Sequence, residues 1–132
     1  MGSDIRIRVL GSAGWMPRDG SETNCQLIEC SGELVMLDAG TGVANLIHYK
    51  ELLEKYDTVH VLLGHYHLDH VIGVSYLSNF LADHNIIFYT PSRKYYGADG
   101  EAVLGKLLSP EFFARRVEKL GKSVAFVSYE EG

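Results

Sequence analysis

Apolar and polar residues alternate along several short stretches of the chain, and this alternation predicts β-strands. Between residues 5 and 10, for example, Ile5, Ile7 and Val9 alternate with two arginines, which is typical of a half-buried strand. The same reasoning predicts strands over residues 5–10, 24–30, 34–37, 59–63, 86–89 and 124–127. A hairpin turn is expected at Ser31-Gly32-Glu33, between the second and third of these strands.

Helical spacing of apolar residues predicts helices over residues 43–56, 71–80 and 101–108. A further helix is expected to begin at Ser109, because serine is a good N-cap and Pro110 suits the first helical position. Residues 95–100 are predicted to form a loop. Since strands and helices alternate in the middle of the chain, the strands there should run parallel. The predicted fold class is α/β, a mixed sheet with flanking helices.

The composition is that of an ordinary globular domain, and no linker divides residues 1–132 into two. The net charge of −5 does not favour broad binding to a phosphate backbone, although it does not exclude a phosphodiester substrate. No apolar run is long enough to span a membrane, and no signal peptide is evident. Cys25 and Cys30 would lie roughly 16 Å apart along one strand, so we expect reduced thiols and a cytoplasmic protein.

One short segment carries the chemistry. His65, His67, Asp69 and His70 directly follow the apolar run 59–63. Imidazole nitrogens and carboxylate oxygens are ligands for zinc, iron(II) or manganese. In an extended segment the first three would share one face, and His70 would point elsewhere, so the cluster is expected to serve two neighbouring metal positions.

Other candidate residues are open to more than one interpretation. The glycines at 11 and 14 match no phosphate-binding motif and are interpreted as a structural turn. Trp15 and Met16 either line a substrate cleft or pack against the domain. Asp38 either caps the following helix or braces a metal-binding histidine. The remaining histidines are interpreted as structural, and a basic cluster as a solvated face: His48, His60 and His84, and Arg115, Arg116, Lys119 and Lys122.

The segment His65-x-His67-x-Asp69-His70 resembles the H-x-H-x-D-H signature of the metallo-β-lactamase fold superfamily. Residues 9–15, 24–28 and 34–40 resemble the first three strands of its ribonuclease Z-like and phosphodiesterase-like branch. The resemblance covers nearly the whole chain and corresponds to the N-terminal half of the αββα sandwich of that family. It implies that His65 and His67 bind a first metal, that Asp69 and His70 bind a second, and that Asp38 supports the site.

The function implied by the resemblance is hydrolysis of a phosphodiester, in a small molecule or a nucleic acid, by a metal-bound hydroxide that Asp69 helps to orient. Zinc is the expected metal, with manganese or iron as alternatives. Two other interpretations stay open: hydrolysis of a thioester or lactone on the same fold, and a non-catalytic module for metal binding or assembly.

The chain departs from the family pattern in its second half. The family's remaining ligands are two histidines and a bridging aspartate, but no histidine follows His84 here and Asp99 is the one later aspartate. We therefore expect a half-domain with an incomplete metal site that is inactive alone. Its sheet should expose an apolar face, through which the chain pairs as a homo-oligomer, expected as a dimer, or with the missing C-terminal half.

Overall fold

The computed structural model describes residues 4–130, which fold around one six-stranded sheet. The strands are β1 (Ile5–Gly11), β2 (Cys25–Cys30), β3 (Glu33–Leu37), β4 (Thr58–Leu62), β5 (Asn85–Pro91) and β6 (Ser123–Tyr129). They lie side by side in chain order. β1, β2 and β3 pair antiparallel, whereas β3 through β6 pair parallel. The predicted α/β class with a mixed sheet is confirmed, and no strand end is shifted by more than two residues.

The turn between β2 and β3 is the predicted hairpin. Cys30 pairs with Glu33, so the connection has two residues, Ser31 and Gly32. Both have positive φ angles, 52° and 78°, as the tight turns that match the twist of paired strands require. Cys25 and Cys30 are both free thiols, as expected from their positions on one strand.

Helices connect the parallel strands, but they are shorter than the sequence pattern predicts. They are α1 (Lys50–Leu53), α2 (Leu68–Val71), α3 (Ser78–Leu81), α4 (Arg93–Tyr96) and α5 (Gly100–Leu107), with 3₁₀ helices at Thr41–His48, Ile72–Tyr76 and Val117–Lys119. The predicted helix over residues 43–56 is thus a 3₁₀ helix and a short α-helix, which meet at Tyr49, where φ is −124°. The predicted helix over 71–80 is similarly divided.

Two predictions for residues 92–120 are wrong. α4 extends into the expected loop at residues 95 and 96. Ser92 caps the start of this helix by accepting a hydrogen bond from the Lys94 amide, and Gly97 ends it at φ 74°. The expected helix at Ser109 makes one turn only. The Ser109 carbonyl accepts hydrogen bonds from the amides of Phe112 and Phe113. However, the backbone of Arg116 is extended, and helical structure resumes only as the 3₁₀ helix Val117–Lys119.

The core lies on one face of the sheet, where alternate residues of the strands meet the helices. Leu27, Leu34, Met36, Val61 and Phe88 are fully buried there. They form one cluster with apolar side chains from the helical segments, among them Val43, Leu46, Val71, Leu77, Leu81 and Leu104. Burial of these side chains is the main stabilising contribution, because each contributes about 1.5–3 kcal/mol on transfer from water.

Within residues 4–130, no helix has the length and apolar character to cross a membrane.

The opposite face of the sheet, called the open face below, carries apolar side chains that remain in contact with solvent. Ile5, Ile7 and Val9 of β1 are each 61–62% exposed, and Leu62 and Val127 are exposed on β4 and β6. The alternation predicted for β1 is therefore present, but its apolar residues lie on the open face instead of in the core. The expected apolar sheet face is thus present in the structure.

Candidate metal centre

The histidine cluster lies at the carboxyl end of β4, in the loop that leads to α2. Residues 64–67 are irregular, and α2 begins at Leu68, so Asp69 and His70 are on a helix. The expectation of one extended segment with His65, His67 and Asp69 on a shared face is therefore wrong. The helix begins here because the His70 amide donates to the His67 carbonyl, which turns the chain back towards the loop.

The turn brings all four predicted ligands together. The ring of His65 lies 4.8 Å from the ring of His67 and 4.0 Å from that of His70, measured between centroids. The Nε2 atom of His70 is 3.4 Å from the Oδ2 atom of Asp69. His70 therefore points towards the other ligands and not away from them, as the extended segment had implied.

Asp38, at the end of β3, contacts the cluster from below. Its Oδ2 atom lies 2.8 Å from Nδ1 of His70, and its Oδ1 atom accepts a hydrogen bond of 2.9 Å from the Gly64 amide. It does not cap the following helix, since the N-cap there is Gly40 and no side chain caps that helix. The backbone of Asp38 has φ 58°, a conformation that aspartate tolerates better than most residues. Asp38 thereby fixes both the histidine loop and the orientation of His70.

The contacts of His70 select one tautomer of its ring. Because a carboxylate can only accept, the Asp38 contact requires the proton on Nδ1. The other nitrogen, Nε2, lies 3.3 Å from the Asn24 side-chain amide, which can donate to it. In this tautomer the lone pair is on Nε2, which lies 3.4 Å from Oδ2 of Asp69 and can bind a metal in place of its contact with Asn24. This role of Asn24 was not predicted from the sequence, because the contact joins residues 46 positions apart.

The loop after β1 supplies a second contact that was not predicted from the sequence. The Trp15 amide donates a hydrogen bond of 3.0 Å to Oδ2 of Asp69. This hydrogen bond is the main reason that the pKa of Asp69 is lowered, with a further contribution from the nearby His70. Burial, followed by the proximity of His70 and His67, lowers the pKa of His65. Asp69 is thus favoured as an ionised carboxylate and His65 as a neutral imidazole, the forms that bind metals.

Close backbone packing holds α2 against the end of β3. The Ala39 amide donates to the His70 carbonyl at 2.8 Å, and the Gly73 amide donates to the Ala39 carbonyl at 2.7 Å. A Cβ atom at Gly73 would lie 2.0 Å from the Gly40 carbonyl oxygen, and one at Gly40 would lie 2.2 Å from that of Asp69. Only glycine at both positions permits this approach, which places the two ligands of α2 above Asp38.

The donor chemistry of the cluster fits a divalent metal. Three imidazoles and one carboxylate are nitrogen and oxygen ligands of the kind that zinc, iron(II) and manganese accept. The geometry is less complete, since within residues 4–130 no set of three or more His, Cys, Asp or Glu side chains is arranged to hold a metal ion. The four side chains therefore lie close together, but they do not form a complete coordination sphere for a metal ion.

The other histidines have contacts outside the cluster. His84 is buried, and its Nε2 atom is 2.8 Å from the Leu53 carbonyl oxygen. His60 lies between the hydroxyl of Tyr89 and the carboxylate of Glu33, at 2.9 Å from each. These contacts agree with the structural role predicted for both. The basic side chains predicted to form a solvated face are exposed: Arg115, Arg116, Lys119 and Lys122.

Comparison with known proteins identifies the class to which this fold and site belong. The model of the metallo-beta-lactamase superfamily matches residues 18–119. The chain therefore belongs to the metallo-beta-lactamase superfamily, as its motif indicated.

Individual relatives are longer than this chain. Ribonuclease Z of Porphyromonas gingivalis is 26% identical over 113 residues, which are 84% of this chain and 35% of the relative. Among solved structures, the metallo-beta-lactamase fold protein YhfI of Bacillus subtilis aligns with a TM-score of 0.64 at 19% identity, covering 95% of this chain and 45% of that one. Human tRNase Z, short form, aligns with a TM-score of 0.58 at 17% identity, covering 94% and 44%. The structural matches establish the shared fold, and the chain spans between a third and a half of each relative.

Proposed function

We propose that this chain is the N-terminal half of a metal-dependent hydrolase that acts on phosphodiesters. The observation that carries the proposal is the convergence of His65, His67, Asp69 and His70 at the end of β4, with Asp38 bonded to His70 beneath them. The similarity to ribonuclease Z supports a phosphodiester as the substrate class.

The four side chains would hold the metal, His65 and His67 at one position and Asp69 and His70 at a second. Zinc is the preferred candidate, with manganese or iron as alternatives. When bound, such ions supply Lewis acidity at a phosphoryl oxygen. Asp69 is ionised and partly exposed, so it can also accept a hydrogen bond from an attacking water and orient it.

The chain alone is expected to be inactive. A catalytic zinc usually has three protein ligands and a water, whereas this chain offers two ligands at each position. In this proposal the remaining ligands belong to the other half of the domain. The length of the relatives, of which this chain spans 35–45%, supports the same interpretation.

Because turnover is not expected, the test of substrate class is a binding experiment. Bis-p-nitrophenyl phosphate, a lactone and a thioester are each titrated into the zinc-loaded chain and followed by calorimetry. We expect the phosphodiester alone to bind, and its binding to be lost on chelation of zinc or in His67→Ala. His48→Ala is the matched control, since His48 is an exposed histidine away from the cluster. Tighter binding of the lactone or thioester, or binding independent of zinc, would contradict the proposal.

The open face supports a second candidate function, assembly. Its exposed side chains on β1, with Leu62 and Val127, form an apolar surface of the kind that usually marks an interaction site. We propose that the partner half of the domain covers this face, and that in its absence two copies of the chain pair through it.

Light scattering tests the pairing. The isolated chain is expected to be a dimer, and Ile7→Lys is expected to make it a monomer. Ile47→Lys is the matched control, because Ile47 is 67% exposed but lies on the helical side, whereas Ile7 is 61% exposed on the open face. A wild-type chain that stays monomeric at high concentration, or a control variant that dissociates equally, would refute pairing through the open face.

A further inference from the structure

Trp15 has an unusual position for a large apolar residue. Its side chain is 80% exposed, although an indole gains more from burial than almost any other side chain. From the sequence, Trp15 was expected either to line a substrate cleft or to pack against the domain. Its exposure shows that it does not pack against the domain. The neighbouring Met16 is also exposed, at 52%.

The backbone at Trp15 is strained. Its φ angle is 71°, which is uncommon for a residue with a side chain. The Met16 amide donates to the Gly14 carbonyl at 2.8 Å, so Trp15 is the central residue of a three-residue γ-turn, in the rare form with positive φ. Such a conformation is disfavoured unless its surroundings impose it, and residues of this kind cluster at functional sites.

The strained turn connects Trp15 to the candidate metal centre. It points the Trp15 amide at Asp69, with the 3.0 Å hydrogen bond described above. The indole then lines a cavity of about 330 Å³ together with His67, Leu68 and Asp69. This volume lies near the lower end of ligand pockets, which span roughly 300–1,000 Å³. Two of the lining residues, His67 and Asp69, are thus proposed metal ligands. The other two are apolar: Trp15 is 80% exposed and Leu68 is 59% exposed.

We infer that Trp15 is a stacking platform for a nucleobase attached to the phosphate that this site binds. The inference rests on the proposed function. A group in this cavity must be adjacent to a phosphate held at His67 and Asp69, because both residues line it. The group must also suit a flat, exposed aromatic surface, and nucleobases stack on tryptophan irrespective of sequence. The substrate class is therefore a nucleotide phosphodiester, with one base next to the scissile bond.

The sequence offers a direct probe, because Trp15 is the one tryptophan of the chain. Adenosine monophosphate and ribose phosphate, which lacks the base, are titrated into the zinc-loaded chain, and the intrinsic tryptophan fluorescence is recorded. Stacking should quench the fluorescence saturably with the nucleotide and leave it unchanged with ribose phosphate. Quenching by both ligands alike, or by neither, would overturn the inference.

Variants locate the effect. Calorimetry with adenosine monophosphate should show an affinity roughly five- to a hundredfold lower in Trp15→Ala, and nearly unchanged in Trp15→Phe, which keeps an aromatic surface. Because the side chain is exposed, neither variant should unfold the protein. Phe112→Ala is the matched control, since Phe112 is 77% exposed and is not among the residues lining this cavity. Equal losses in the control and in Trp15→Ala, or no loss in Trp15→Ala, would refute the role of Trp15.

Zinc uptake is measured separately on the same samples. A chain that takes up zinc but shows no base-dependent quenching would retain the proposed function and lose the inference. A chain that shows base-dependent quenching without zinc uptake would retain the stacking role of Trp15 and lose the proposed function.

Discussion

The contact between Asp38 and His70 can be tested by the single substitution Asp38→Asn. Asparagine tolerates the positive φ of this position about as well as aspartate, so the backbone should not change. Its one side-chain oxygen, however, cannot accept hydrogen bonds from both the Gly64 amide and His70 Nδ1, which the carboxylate serves with its two oxygens. If the oxygen stays with Gly64, the amide group faces His70. The ring must then place its proton on Nε2, the nitrogen that should bind the metal.

The size of the effect follows from these contacts. A hydrogen bond to a charged group contributes about 1.5–3 kcal/mol, and one between neutral groups about 0.5–1.5 kcal/mol. In Asp38→Asn the acceptor of the Gly64 amide is no longer charged, which should lower the free energy of unfolding by about 1–1.5 kcal/mol. Loss of the group that orients a ligand typically lowers metal affinity roughly 10–100-fold, or about 1.4–2.8 kcal/mol.

Two measurements check this prediction. Nitrogen-15 NMR of the imidazole rings should show the His70 proton on Nδ1 in the native chain and on Nε2 in Asp38→Asn. Zinc competition with a chromogenic chelator should show the loss of affinity. Asp83→Asn provides the control, because it makes the same chemical change at an exposed position. An unchanged tautomer together with unchanged zinc affinity would refute the proposed role of Asp38.

Three further predictions concern the framework around the site. Gly73→Ala should lower the free energy of unfolding by about 1–3 kcal/mol or more, measured by urea denaturation, because its Cβ would lie 2.0 Å from the Gly40 carbonyl oxygen. Maleimide should label Cys30 but not the native Cys25, since Cys25 is fully buried and burial raises its pKa to about 12. Hydrogen bonds from Tyr56 and, to a lesser extent, Arg8 lower the pKa of Glu29. The stabilising contribution of Glu29 is therefore present at neutral pH and is lost as the pH falls and the carboxylate is protonated. Glu29→Gln should therefore flatten the acid limb of the stability curve.

Much of the fold could be predicted from the sequence because period-two alternation and turn residues are local signals. All six strands and the hairpin at Ser31 and Gly32 were located in this way. The helices were predicted less well, because their extents depend on tertiary contacts. Helical periodicity does not distinguish one long helix from a 3₁₀ segment followed by a short α-helix. Nor could the alternation in β1 show which face of the sheet would be covered.

The ligand set of the candidate site was predictable from residue type and spacing, but its arrangement was not. The extended interpretation failed because α2 begins at Leu68, and this turn brings His70 towards His65. The contacts of Asn24 and Trp15 join residues 46 and 54 positions apart. No local pattern encodes such distances; the one local signal is an apolar tryptophan in a glycine-rich loop.

The central claim is that His65, His67, Asp69 and His70 form an incomplete metal site, and titration of zinc into the chain tests it most directly. Calorimetry should show zinc binding weaker than the roughly 10–16 kcal/mol of structural zinc in zinc-finger peptides. This binding should be strongly reduced in the double variant His65→Ala, His67→Ala, which removes both ligands of the first metal position. Two tight, stoichiometric sites on the native chain would contradict the claim that the site is incomplete. Equal zinc uptake by the native chain and the double variant would contradict the assignment of the site itself.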